Sequence, residues 1–231
     1  MSYALLIPAA GKGERLGSKT PKALVPLHGR PLIWWVLEAF AHDERLAEIV
    51  IASSSELERE FQAHLASHPL HERLFITNGG RTRQDSVGNA LAVLMSDVDH
   101  VLVHDAARPL VSRDVINNVL TALDDYVAAV PGVPVTDTIK RVTRERRVAQ
   151  TLERSELCAV QTPQGIRTEA FRAAHDQARR TGVQCTDDVA LIEHFQLGDV
   201  IVVDGDPHNF KVTLPHDLSR AAAMLGDRDQ A

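Results

Sequence analysis

Short runs rich in Val, Ile, Leu and Ala punctuate the chain at Tyr3–Ile7, Glu48–Ala52, Leu74–Thr77, His100–Val103, Val127–Val130 and Val200–Val203. They are nearly continuous rather than alternating, the pattern of strands covered on both faces in a largely parallel sheet. Between them, apolar positions recur at helical spacing. Pro31–Ala41 opens with Pro at a first-turn position, and Leu57–Ala66 follows the capping candidates Ser53–Ser55. Arg83–Met95, Arg113–Leu123 (with Ser112 as cap), Thr168–Arg179 and Asp187–Phe195 continue the series, and Leu218–Leu225, after Pro215, closes it. Strand–helix alternation of this kind predicts an α/β fold, a doubly wound and mostly parallel sheet with ligands at the carboxyl ends of the strands.

One stretch breaks the rhythm. From Pro134 to about Gln161 the chain is dense in charge and β-branched residues and has no helical face. It reads as a hairpin, Ile139–Val142 and Val148–Leu152 around a turn at Thr143–Arg146. Two readings stay open: a surface excursion, or an arm packing on a second subunit, since an isolated hairpin is marginal in water. The organisation is then one domain over residues 1–231, with 134–161 inserted in it.

Composition narrows the class. The 231 residues are 44% hydrophobic and 24% charged, enough for a core without metal or disulfide staples. A formal charge of −6 argues against a broad grip on nucleic acid or an anionic membrane, though not against a phosphate held by a few cations. No apolar run approaches the ~20 residues of a membrane span. Cys158 and Cys185 have no paired spacing, which suits a reducing, cytoplasmic setting. His64, His68 and His71 read as a solvated helix end rather than a metal cluster.

Candidate chemistry starts after the first strand, at Pro8-Ala9-Ala10-Gly11-Lys12-Gly13-Glu14-Arg15-Leu16-Gly17, with Lys19 and Pro21-Lys22 beyond. The third glycine comes one residue late for a dinucleotide fingerprint, and Gly17-Ser18-Lys19-Thr20 has the wrong order for a Walker A loop. What remains is physical. Small residues let backbone amides approach a ligand, and Lys12, Arg15, Lys19 and Lys22 are the donors a polyphosphate needs. A tight strand-to-helix turn with solvated cations is the alternative. Two further segments follow predicted strands: Asn78-Gly79-Gly80-Arg81-Thr82-Arg83-Gln84-Asp85-Ser86-Val87, and Val103-His104-Asp105-Ala106-Ala107-Arg108-Pro109. Gly79-Gly80 allows close approach to a base edge, and Ser86 either caps the next helix or bonds a ligand. Asp105 suits a ribose hydroxyl, a substrate hydroxyl or Mg²⁺, and Arg108 a phosphate. An Asx turn, a cap and a solvated Arg remain the plainer readings of each alone.

Together the three segments resemble the 2-C-methyl-D-erythritol 4-phosphate cytidylyltransferase family. Later strings extend the resemblance from Ala4 to about Leu225: Pro134–Lys140, Thr151–Arg154, Gln161–Gln164, Thr186–Asp188 and Asn209–Thr213. Lys12, Ala23 and Arg81 depart from residues common in the family. The resemblance implies a Rossmann-like nucleotidyltransferase fold and transfer of CMP from CTP to methylerythritol phosphate with release of pyrophosphate. It assigns Arg15 and Lys22 to transition-state stabilisation, and Arg154 and Lys211 to the substrate phosphate, making these four the catalytic candidates. Ala9, Ala10, Gly11, Gly13, Gly80, Arg81, Ser86, Asp105 and Ala106 would hold CTP. Asp105, Arg108, Thr138, Arg154, Thr162, Thr186 and Lys211 would receive the second substrate. It further implies a homodimer, with the 134–161 arm carrying Thr138 and Arg154 into the neighbouring subunit, and Mg²⁺ carried by the CTP phosphates with no protein ligand. Ribitol 5-phosphate as acceptor, a uridylyl- or guanylyltransferase for a hexose phosphate, and a non-catalytic nucleotide-binding module on the same fold are the competing readings.

Overall fold

The computed structural model describes residues 1–11 and 20–228. The strands run β1 (Tyr3–Pro8), β2 (Pro26–Leu27), β3 (Arg30–Pro31), β4 (Leu46–Ser53), β5 (Leu74–Asn78), β6 (His100–Val103), β7 (Ala128–Pro134), β8 (Lys140–Val142), β9 (Val148–Thr151), β10 (Cys158–Val160), β11 (Gln164–Arg167) and β12 (Val200–Asp204). Among them lie α1 (Leu32–Glu38), α2 (Glu58–Leu65), α3 (Arg83–Ala92), α4 (Arg113–Ala122), α5 (Thr168–Thr181), α6 (Val189–His194) and α7 (Pro215–Arg228).

β5, β4, β1 and β6 lie side by side and parallel. β11 pairs antiparallel with both β6 and β7, and β12 pairs parallel with β7. β10 returns to β7 in line with β11, opposite Gly132–Pro134. β10 and β11 therefore act as one antiparallel strand interrupted at 161–163, the single reversal in this sheet among the described residues. Every strand predicted from the sequence is present. β10 and β11 are absent from the prediction because β10 has only three residues and β11, Gln-Gly-Ile-Arg, has a single large apolar position.

The alternation along β1 explains the layers. Tyr3, Leu5 and Ile7 face one side, packing with Ile33, Val36, Leu37 and Phe40 around α1 and with Val115, Ile116 and Val119 of α4. Ala4 and Leu6 face the other, against Val87 and Leu91 of α3 and Phe171 and Ala174 of α5. Both faces are dry, as the continuous apolar runs require. A smaller cluster seats Ala221 and Leu225 of α7 on Val25, Leu27 and Leu32.

Three local expectations change. Ser54 and Leu57, at the cap positions before α2, make no side-chain cap bond. His68 is buried, its ring edge-on to Trp34 with centroids 4.6 Å apart, rather than solvated. The sheet recovers the chain at Cys158, opposite Pro134, so the part that projects is shorter than 134–161. Within it β8 and β9 pair as the predicted hairpin, and all seven of their residues are exposed.

Candidate active site

The strand order turns outward in both directions between β1 and β6, and such a switch point leaves a crevice at the carboxyl ends of the strands. A cleft of about 420 Å³ opens there. Pro8 to Gly11 leave β1, Gly80 to Arg83 and Ser86 come from the β5–α3 connection, and Asp105 to Ala107 leave β6. Lys22 and Ala23 of a single 3-10 turn, with Lys211 and Thr213 after β12, complete the described lining.

The small residues are there for space. A Cβ on Gly80 would press on Asp85, reaching 2.9 Å from its carbonyl carbon, in the first turn of α3. That turn is closed by a reciprocal capping box: Asp85 N–H donates to Thr82 Oγ1 (3.0 Å), and Thr82 N–H donates to Asp85 Oδ2 (3.1 Å). Thr82 is thus the cap, and Ser86 is not. Ser86 Oγ instead accepts from Gly80 N–H at 3.0 Å and donates to Thr82 O at 2.9 Å, holding the glycine loop against the helix.

Among the described residues, Asp105 is the one acidic side chain lining the cleft. Its carboxylate meets Lys211 Nζ at 2.8 Å, Arg83 Nε at 3.4 Å and Arg108 Nε at 3.5 Å. Burial alone would raise its pKa, but Lys211, Arg83 and Arg108 hold it well below the usual carboxylate range, so it stays ionised. Arg83 reaches in the other direction to Asp188, 2.7 Å from Nη1. Burial pushes Asp188 up to about 6 despite that partner. Sequence reasoning misses both Arg83 and Asp188 as site residues. The available signal is the second arginine of the Gly-Gly-x-x-Arg-x-x-Ser spacing, whereas the expectation falls on Arg81, which lines the cleft but is exposed.

Of the candidates for CTP and for catalysis, Ala9, Ala10, Gly11, Lys22, Gly80, Arg81, Ser86, Asp105, Ala106 and Lys211 all converge on the cleft. Gly13 and Arg15, like Lys12 and Lys19, lie outside the described residues. The second-substrate candidates divide. Arg108 and Thr162 sit behind Asp105, Arg108 spending Nη1 on Asn209 O at 2.6 Å. Thr138, Arg154 and Thr186 do not line the cleft, and Arg154 Nη1 donates to Thr136 O at 2.9 Å within the arm. Thr138 and Arg154, both on the 134–161 arm, are thus not brought to the cleft lining of their own subunit.

The profile of the family described as "IspD: 2-C-methyl-D-erythritol 4-phosphate cytidylyltransferase" matches residues 3–227. The chain belongs to this family. Relatives of that name from Bacillus mycoides and Thermosynechococcus vestitus are 41% and 42% identical, over 96% and 97% of this chain and 97% and 95% of their own. Among solved structures, the cytidylyltransferase of Thermus thermophilus superposes with a TM-score of 0.80 at 36% identity, covering 97% of this chain and 98% of that one. The 4-diphosphocytidyl-2C-methyl-D-erythritol synthase of Anaerococcus prevotii reaches 0.85 at 25% identity, with 97% and 98% covered. Family membership matches the geometry: a Rossmann-like sheet with a cleft lined by both small residues and cations. No helix among the described residues is long and apolar enough to cross a membrane.

Proposed function

We propose that the protein transfers CMP from CTP to 2-C-methyl-D-erythritol 4-phosphate, giving 4-diphosphocytidyl-2-C-methyl-D-erythritol and pyrophosphate. The observation that carries this is the switch-point cleft, in which Ala9–Gly11 and Gly80 stand beside Lys22, Lys211 and the cation-bound Asp105. The phosphate oxygen of the acceptor attacks the α-phosphorus of CTP in line with the departing pyrophosphate. A phosphomonoester is already ionised near neutral pH, so no general base is required. The obstacle is two anions meeting, and catalysis is positioning plus charge stabilisation.

In this reading, Ala9, Ala10, Gly11, Gly80 and Ser86 frame the cytosine, and Asp105 and Ala106 meet the ribose or the acceptor hydroxyls. Lys22, with Arg15, offsets charge at the α-phosphate and on the leaving oxygens. Lys211 moves from Asp105 to the acceptor phosphate. Arg154 and Thr138 complete the cleft of a second subunit, an assignment supported by the exposed hairpin and by the outward-facing Val142 and Val148. Mg²⁺ enters on the CTP phosphates. One carboxylate already ringed by three cations suits a metal that keeps its waters and phosphate ligands better than one caged by protein. Two free cysteines are in keeping with a cytoplasmic enzyme.

Pyrophosphate release from CTP across a panel of polyol phosphates tests the reading. Methylerythritol phosphate turning over fastest is expected. Faster turnover of ribitol 5-phosphate, or a preference for UTP or GTP over CTP, would overturn it.

A further inference from the structure

Three polar side chains at and beside the interruption between β10 and β11 are nevertheless buried: Gln161, Thr162 and Gln164, the first residue of β11. Each leaves the kink in a different direction. Gln161 Nε2 donates to Asp206 O at 2.8 Å, and its Oε1 accepts from Asp206 N–H at 3.2 Å, fixing the loop that leads to Lys211. Gln164 Oε1 accepts from the backbone N–H groups of Asp188 (2.9 Å) and Val189 (3.1 Å), while Nε2 donates to Asp187 Oδ2 at 3.0 Å. Thr186 therefore sits on a segment pinned on its carboxyl side by Gln164. On its amino side, Gln84 Oε1 accepts from Cys185 N–H at 2.8 Å.

Thr162 is the third arm, and its hydrogen bonds can be assigned completely. Burial pushes His104 down to about 4, so the ring is neutral near pH 7. Its Nε2 lies 3.1 Å from Arg108 O, an acceptor, so Nε2 carries the proton and Nδ1 accepts. Nδ1 is 3.0 Å from Thr162 Oγ1, which must donate to it. The same Oγ1 accepts from Asp105 N–H at 3.0 Å. The only proton on the Thr162 hydroxyl is thus committed to His104, and its acceptor side holds the backbone of Asp105. Nothing is left to donate to a substrate phosphate.

We propose that Thr162 and Gln164 are positioning residues of a brace at the strand interruption, Thr162 acting on the nucleotide cleft through Asp105 and Gln164 on the acceptor through the Thr186 segment. This reassigns Thr162 from substrate donor to support, and it rests on the functional reading above. The buried hydrogen bonds lost, two at Thr162 and three at Gln164, translate to about tenfold in the affected constant.

The test measures CTP affinity by titration calorimetry without acceptor, and KM for methylerythritol phosphate by pyrophosphate release. Thr162→Val is expected to weaken CTP binding about tenfold, with Thr162→Ser within about threefold of the parent, because Ser keeps both bonds. Gln164→Leu is expected to raise KM for methylerythritol phosphate about tenfold with CTP affinity within about twofold. Gln164→Glu, of the same shape but unable to donate to Asp187, carries the test if the Leu variant fails to fold. Thr162→Val leaving CTP binding within about twofold would overturn the proposal, whatever it does to the acceptor KM. So would Gln164 variants that leave the acceptor KM unchanged or weaken CTP equally. A parent protein that releases no pyrophosphate refutes the functional reading. An active parent with unshifted variants refutes the brace alone.

Discussion

Buried histidines should make this fold sensitive to acid, and His175 lets the contribution of a single one be measured. It lies on α5 with its ring edge-on to Phe171, centroids 4.6 Å apart, and its Nε2 is buried without a hydrogen-bond partner. Burial lowers its pKa from 6.5 to about 4; Arg179 on the same helix pushes the same way, while Asp176 and, from α3, Asp85 pull back. Between those two values the unfolded chain binds the proton and the folded chain does not, so stability falls as pH drops from 6.5 and the loss saturates below about 4. At about pH 4.5 this residue alone removes about 2–3 kcal/mol, from about 1.36 kcal/mol for each pH unit travelled, less the small fraction protonated when folded. His175→Leu abolishes that loss and forfeits no side-chain hydrogen bond at Nε2. Urea unfolding followed by circular dichroism should put the variant within about 1 kcal/mol of the parent at about pH 7.5. At about pH 4.5 the difference should move by about 2–3 kcal/mol in the variant's favour. A parent–variant difference identical at the two pH values would refute the reasoning. His68 and His104 shift in the same direction, each to about 4, so the parent should lose stability steeply below about pH 6. Asp188 opposes them, since a carboxyl raised to about 6 takes its proton first in the folded chain.

Lys22→Ala should cut kcat by about 10²–10³ while calorimetry still detects CTP binding; near-normal turnover would remove Lys22 from the mechanism. Mixing Lys22→Ala with Arg154→Ala protein should restore partial activity if the arm completes a neighbour's cleft, and silence in preparations containing heterodimers would sink the exchanged arm. Gly80→Ala should raise KM for CTP at least about tenfold and lower the unfolding midpoint, because the new Cβ meets the backbone of Asp85. Chelation should stop pyrophosphate release and added Mg²⁺ restore it; undiminished release in chelator would exclude the metal from the reaction.

Much of the architecture is legible because burial on both faces writes itself into composition. A strand such as His100–Val103 has no solvent-facing side to dilute its apolar run, and its predicted bounds match those observed. Helix ends are less legible. The apolar pattern after Pro31 runs to Ala41, yet α1 stops at Glu38 and continues as turns, with Phe40 still buried. Gly80 and the Asp105 segment are legible as cleft-lining positions too, because close backbone approach and a carboxylate among cations admit few residue types.

Tertiary structure alone decides which of several similar residues does what. Arg81 and Arg83 are chemically identical in the sequence. The capping box at Thr82 sets the first turn of α3, and it is Arg83 that meets Asp105 and Asp188 while Arg81 stays exposed. Thr162 reads as a substrate donor until His104 and Asp105 account for its whole hydroxyl. The strand pair β10 and β11 exists because β6 and β7 each leave an edge to share, which no local propensity encodes. The amino-acid order by itself determines the layers and the ligand chemistry, since both depend on residue type and spacing. The partners of individual polar groups depend on contacts across long stretches of chain. Arg83 stands 22 positions from Asp105, and Asp188 lies farther still, so these pairings are set only when the sheet is assembled.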